Sequence, residues 1–289
     1  MHSNIVGYQT QSVGRDEYNM VAPTFTSTTG AAMQLKDILL ESGNSTKLSG
    51  GNNVIYLFCN AGDPLLIEDD GVLEEFCPAA YAEFGDSADG YGTEFTYVES
   101  SGHWHLTVDD EFKYPMDNYP LSEGIGVYLN AARTLSRGLT MTSAGAVNGE
   151  DIEVEADRDE YVMTGNASPS DLTLSDFTIA SGNSTKLGGG NNVIYLFGNA
   201  GDPLLIEEDE TLETLYPDAY AEFGSSADGY GTEFTFVESS GHWYLTVDDS
   251  YKYPMDNYPI AAGQGFYVNA ARTLAKGLVF TIPAAVTAD

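Results

Sequence analysis

Apolar and polar side chains alternate with a period of two through most of this chain, the spacing of strands with one face buried and the other wet. In Trp104-His105-Leu106-Thr107-Val108, Trp104, Leu106 and Val108 share a face. In Val54-Ile55-Tyr56-Leu57-Phe58 both faces are apolar, which predicts a central strand covered on each side. Further strands are predicted over 95–98, 125–129 and 139–141, separated by Gly, Asn and Asp clusters that suit turns. One stretch departs from this period. Leu73-Glu74-Glu75-Phe76 and Ala79-Ala80-Tyr81-Ala82-Glu83-Phe84 are built of helix formers broken by Pro78, which predicts one or two short helices.

The pattern is written twice. Residues 42–147 recur as 181–286 at an offset of 139, with 79 identities in 106 aligned positions counted along the sequence. A period this long is a duplicated globular domain, because solenoid and propeller repeats recur at about 20–50 residues. Arg15-Asp16-Glu17-Tyr18 is answered by Arg158-Asp159-Glu160-Tyr161 at an offset of 143. Ile152, Val154 and Ala156 alternate with carboxylates, so this segment reads as the opening strand of the second copy. The expectation is an all-β protein of two tandem, near-identical β-sandwich domains, Ig-like or jelly-roll-like, each with a short helical insertion. Their bounds are 1–148 and 149–289.

Asp and Glu number 44 against 11 Lys and Arg, a formal charge of -33. An even negative field repels phosphate backbones and anionic headgroups, so nucleic acid and membrane surfaces are not expected partners. No stretch approaches the roughly 18 apolar residues of a membrane span. The opening residues lack the basic and apolar regions of a signal peptide, so the chain is either cytoplasmic or exported with a leader outside this numbering. Cys59 and Cys77 are both present in the first copy and both replaced in the second, by Gly198 and Tyr216. That joint loss suggests a disulfide, which belongs outside the reducing cytosol, although two separate thiols fit the spacing as well.

Ahead of the first copy runs an arm containing Ile5, Val6 and Tyr8. Such an arm either folds back as an edge strand of its own domain or completes the sheet of a neighbour. The second course, repeated head to tail without closing, makes a filament. The segments Asn4-Ile5-Val6-Gly7-Tyr8-Gln9-Thr10 and Tyr18-Asn19-Met20-Val21-Ala22-Pro23, with a closing stretch Gly124-Ile125-Gly126-Val127-Tyr128-Leu129-Asn130, resemble a group of uncharacterised secreted bacterial proteins. The resemblance covers the edges of a domain. It implies an exported β-rich surface or matrix protein and carries over no catalytic residue.

Ser100-Ser101-Gly102-His103, with Asp109-Asp110, and the same residues at 239–242 and 248–249 supply the residue types of a hydrolytic triad. Sequence neighbours in a turn point their side chains apart, so a polar hairpin is expected instead, and no enzyme. Calcium is the cation that the loops invite, through Asp89 and Glu94 and their counterparts Asp228 and Glu233 around a Gly turn. No resident cofactor is otherwise expected. Trp104, Trp243, Tyr91 and Tyr230 sit amid Gly, Asn and Asp, as rings that stack on sugars do, although aromatics in a sandwich also serve as core. Asn44, Asn166 and Asn183 fit the glycosylation sequon. Together these readings predict a non-enzymatic protein of the cell surface or exterior that binds copies of itself through its N-terminal arm. The alternative is a secreted carbohydrate-binding or adhesive module with two equivalent aromatic sites.

Overall fold

A computed structural model describes residues 6–284 except 16, 27–31, 43–52, 59–62, 109–110, 132–137, 148, 182–191, 199–201, 249 and 271–276. The first half runs β1 (Val6–Val13), β2 (Glu17–Val21), β3 (Phe25–Thr26), β4 (Met33–Gln34), β5 (Ile38–Glu41) and β6 (Asn53–Tyr56). Two helices follow, α1 (Gly71–Phe76) and α2 (Pro78–Phe84). Then come β7 (Glu94–Val98), β8 (His103–Val108), β9 (Glu111–Pro115), β10 (Pro120–Leu121), β11 (Val127–Ala131) and β12 (Leu139–Val147). The second half repeats the order: β13 (Ile152–Ala156), β14 (Glu160–Gly165), β15 (Leu172–Thr173), β16 (Thr178–Ala180), β17 (Asn192–Tyr195), α3 (Glu210–Leu215) and α4 (Pro217–Phe223). It ends with β18 (Glu233–Val237), β19 (His242–Val247), β20 (Ser250–Pro254), β21 (Pro259–Ile260), β22 (Gly265–Ala270) and β23 (Leu278–Ile282).

The fold is an all-β sandwich architecture of antiparallel sheets. In the first half a six-stranded sheet, ordered β2-β11-β6-β7-β8-β9, faces a smaller one in which β12 is flanked by β1 on one side and by β3 and β5 on the other. The second half has the sheets β14-β22-β17-β18-β19-β20 and β13-β23-β16. Alternation along each strand sends one face inward: Ile55, Phe95, Trp104, Leu106, Val127 and Leu129 meet Leu40, Leu139 and Met141 from the opposite sheet in one buried cluster. A matching cluster fills the second half, with Phe234, Trp243, Leu245, Phe266 and Phe280 at its centre. The helical insertion falls where the broken helix pattern put it, Pro78 starting α2, because proline has no amide to offer an earlier turn.

Three strands differ from the sequence reading, the one expected over 54–58 ending at Tyr56. The one expected from 125 begins at Val127, because Gly124 takes a φ of 74° and Gly126 donates its N–H to Met163 O of the other half at 3.0 Å. The one expected over 139–141 continues to Val147, held by partners on both sides.

The arm is the first half's own strand. Val6 to Val13 pair with β12, Tyr8 opposite Ala144 and Val13 opposite Leu139; Ile5 lies outside the described residues. β13 pairs with β23 in the same register, Ala156 opposite Leu278. The arm is therefore occupied at home, which removes the unpaired segment from which a head-to-tail exchange was expected.

The two halves meet across a buried apolar seam. Met20, Tyr128, Met163 and Tyr267 form a buried cluster across the seam, edged by Tyr56, Phe58, Tyr161, Tyr195 and Phe197. This explains why 54–58 is apolar on both faces: Ile55 and Leu57 enter the core, while Tyr56 and Phe58 turn to the other half. Loop 122–126 of the first half lies on Ile152 and Val154, and Thr164 Oγ1 donates to Gly124 O at 2.6 Å. Loop 261–265 lies reciprocally on β1, where Gln11 Nε2 donates to Ala262 O at 2.6 Å and Ala22 N to Gly263 O at 2.9 Å. Gln9 and Gln11 are the counterparts of Ile152 and Val154 at the offset of 143. Each surface thus meets the other's equivalent, the signature of a twofold contact, which closes on itself and does not propagate.

Close approach at this seam depends on glycine. A Cβ at Gly126 would lie 2.6 Å from Met163 Cγ and 2.9 Å from Thr164 O, and the carbonyl belongs to backbone that cannot swing away. Gly126→Val should cost about 1–3 kcal/mol through overpacking and separate the calorimetric unfolding of the two halves. Gly71→Ala, where nothing lies within 4 Å of the added methyl, should leave a single transition and not lower its melting temperature. A single unshifted transition for Gly126→Val would show that the seam tolerates a wider gap.

Candidate functional site

Of the polar groups shared by both halves, two sets tie separate elements of the fold together. The first is a buried carboxylate, Asp70 in one half and Asp209 in the other, 2% and 3% exposed. Asp70 caps α1, Oδ1 accepting from Leu73 N at 2.8 Å, as an anion at a helix N-terminus should. The same carboxylate accepts from Tyr119 OH at 2.9 Å and from Thr93 Oγ1 at 3.2 Å. Asp209 repeats the set with Leu212 N, Tyr258 OH and Thr232 Oγ1. Burial first, then the neighbouring carboxylate, drives the phenols of Tyr119 and Tyr258 far above their ordinary range. Sequence reasoning did not bring these tyrosine and threonine partners to the carboxylate. The available signal was that Asp70 persists as Asp209 while Asp69 becomes Glu208.

The second place is the β8 hairpin. His103 Nδ1 lies 2.7 Å from Asp117 Oδ2, and Asp117 Oδ1 accepts from Trp104 N at 2.8 Å. His242, Asp256 and Trp243 N repeat this at 2.8 and 2.9 Å. Ser101 and Ser240 stand apart from it: their Oγ atoms donate to the carbonyls of Val98 and Val237. The hydroxyls of these two serines are turned into the hairpin, away from the imidazole. Asp109, Asp110 and Asp249 lie outside the described residues.

The expected platforms divide. Trp104 and Trp243 are fully buried, with their indole N–H groups donating to Ile38 O and Phe177 O at 2.9 and 3.1 Å. They are core, and a ring with no exposed face cannot stack on a sugar. Tyr91 and Tyr230 are half-buried, set edge-on against Phe84 and Phe223, and Tyr230 OH donates to Asp248 Oδ2 at 2.8 Å.

The calcium candidates are dispersed. Asp89 and Asp228 are exposed in turns closed by Ser87 and Ser226, whose hydroxyls accept their N–H groups at 3.3 Å. Glu94 and Glu233 instead hydrogen-bond Tyr56 and Tyr195. Among the described residues no three His, Cys, Asp or Glu side chains gather to hold an ion.

Cys77 is half-buried between α1 and α2, packed on the core. Cys59 lies outside the described residues, and so do Asn44 and Asn183. Asn166 is unsuited to glycosylation: it is fully buried, and its Nδ2 donates to Ile260 O at 2.9 Å and to Ser170 O at 3.0 Å. Among the described residues no helix is long and apolar enough to cross a membrane. No family model matches the chain, and neither a curated protein nor a solved structure shows significant similarity to it.

Proposed function

We propose that the chain is a non-enzymatic structural protein of the cell exterior that associates with copies of itself. The observation that carries this reading is where the shared polar chemistry goes. Asp70 and Asp209 tie a helix end to the sheet core, and the His103–Asp117 and His242–Asp256 pairs brace a hairpin. What duplication has kept is scaffold. The charge of -33 supports an exterior setting, since single-sign surface charge keeps protein dispersed in a salty medium.

Head-to-tail strand exchange is not part of the proposal, because β1 is paired along its length within its own half. Light scattering and negative-stain microscopy of the purified chain, over a range of ionic strength, should find particles of two or more copies. A glycan array should show no binding that Tyr91→Ala and Tyr230→Ala remove. A chain that stays monomeric at every concentration, or glycan binding lost in those variants, would replace this reading with that of a single-copy or sugar-binding module.

A further inference from the structure

Each open sheet edge is a row of unpaired amides and carbonyls, and a folded chain must blunt it or use it. Most edges here are blunted. β9 and β20 end on Pro115 and Pro254, and their pairing with β8 and β19 shifts register at Leu106/Thr107 and Leu245/Thr246. β2 runs into the seam, where Val21 bridges Gln264, and β14 meets the first half through Met163 O. β3, β5 and β16 have two, four and three residues, too short to template a partner strand. β13 exposes Glu153 and Glu155.

β1 has none of these devices. It is eight residues long, Val-Gly-Tyr-Gln-Thr-Gln-Ser-Val, without a charge or a proline, and its register with β12 is unbroken. Where β13 carries Glu153 and Glu155, β1 carries the exposed Thr10 and Ser12. The strand beside it continues the neutral surface with Thr140, Thr142 and Ala144. Among the described residues no strand lies on the other edge of β1.

We propose that β1 is the self-association edge of the molecule, pairing antiparallel with β1 of a second copy about a twofold axis. This deepens the structural reading above and rests on it. The occupant follows from charge. Two molecules of charge -33 repel each other at almost any approach, and a β1–β1 pair joins them along a strip that bears none. The strip is also self-complementary, since an antiparallel pair uses the same eight residues twice. The outcome is a closed dimer in which two small sheets become one. Added salt strengthens it by screening the remaining repulsion.

The test is Thr10→Glu with Ser12→Glu in the full chain, which gives β1 the residues that β13 already accommodates. Sedimentation at low and high ionic strength should show wild-type dimers that grow with salt. In the double variant the dissociation constant should rise at least about tenfold, because like charges are brought together across the pair, with the melting temperature unchanged at dilutions where both chains are monomeric. Wild-type dimers or larger assemblies that the double variant forms equally well would overturn the β1 edge and leave the structural reading standing. A wild-type chain that is monomeric throughout would overturn both.

Discussion

Asp209→Ala is expected to lower stability by about 3–5 kcal/mol, the largest loss from any single truncation of a polar group in this fold. The carboxylate is 3% exposed and accepts from Leu212 N, Tyr258 OH and Thr232 Oγ1. Truncation leaves Tyr258 OH and Thr232 Oγ1 without this acceptor, each costing roughly 1–3 kcal/mol, and removes the helix cap on Leu212 N, worth about 1 kcal/mol. Release of the carboxylate from its buried setting offsets part of this sum. For a unit of this size the loss is about 8–16 °C in melting temperature. Asp70→Ala should match it, because Leu73, Tyr119 and Thr93 form the same set. Asp209→Asn keeps an oxygen for the cap but turns a donor toward other donors, so about half the loss is expected. The check is chemical denaturation followed by circular dichroism. A loss under about 1 kcal/mol for Asp209→Ala would mean that water replaces the carboxylate and that the site is not the tie described here.

How much of this was legible depends on how local each feature is. The strand over 104–108 and the pair of helices broken at Pro78 follow from neighbours in sequence, and they form as that pattern requires. The alternation had already put Trp104 on the face of Leu106 and Val108, which is the buried face. Reading the ring as a platform weighed its polar surroundings above its period, and the period decided. The arm was legible in the same way: aligning Arg15 with Arg158 sets Gln11 on Val154 and Val13 on Ala156, so 6–13 is the first copy of an opening strand. The carboxylate site was not legible. Tyr119 is 49 residues from Asp70 and Thr93 is 23 away, and no periodicity links side chains that only the closing of the sandwich brings together. The seam lay between these cases, since the apolar run 54–58 signalled a second covered face without saying what covered it.

Raising the pH should unfold the protein steeply, through tyrosines that the native state will not ionise. Tyr119, Tyr128 and Tyr258 are 2%, 1% and 3% exposed. Burial raises the pKa of each, and the carboxylates of Asp70, Asp202 and Asp209 respectively raise it further. A pKa raised by folding gives stability that is intact below the unfolded-state value, about 10 for a phenol, and that is lost as pH climbs from there toward the folded value. These three phenols, protonated in the native chain and ionised in the unfolded one, by themselves lower stability by about 4 kcal/mol per pH unit above pH 10, and Tyr56 and Tyr195, raised by burial and then by Glu94 and Glu233, steepen the fall. Native proteins hold about 5–15 kcal/mol in reserve, so the transition is expected within roughly one to four units of that point. Phenolate absorbance and circular dichroism recorded on the same samples provide the check. Buried phenols should ionise together with the loss of sheet signal. Tyr119→Phe with Tyr258→Phe should lower the slope by about 3 kcal/mol per pH unit, because those two phenols no longer contribute. Complete phenolate formation near pH 10 with the sheet signal intact would mean that water reaches these hydroxyls, and that the closed contact between sheet, helix end and seam is looser than their burial implies.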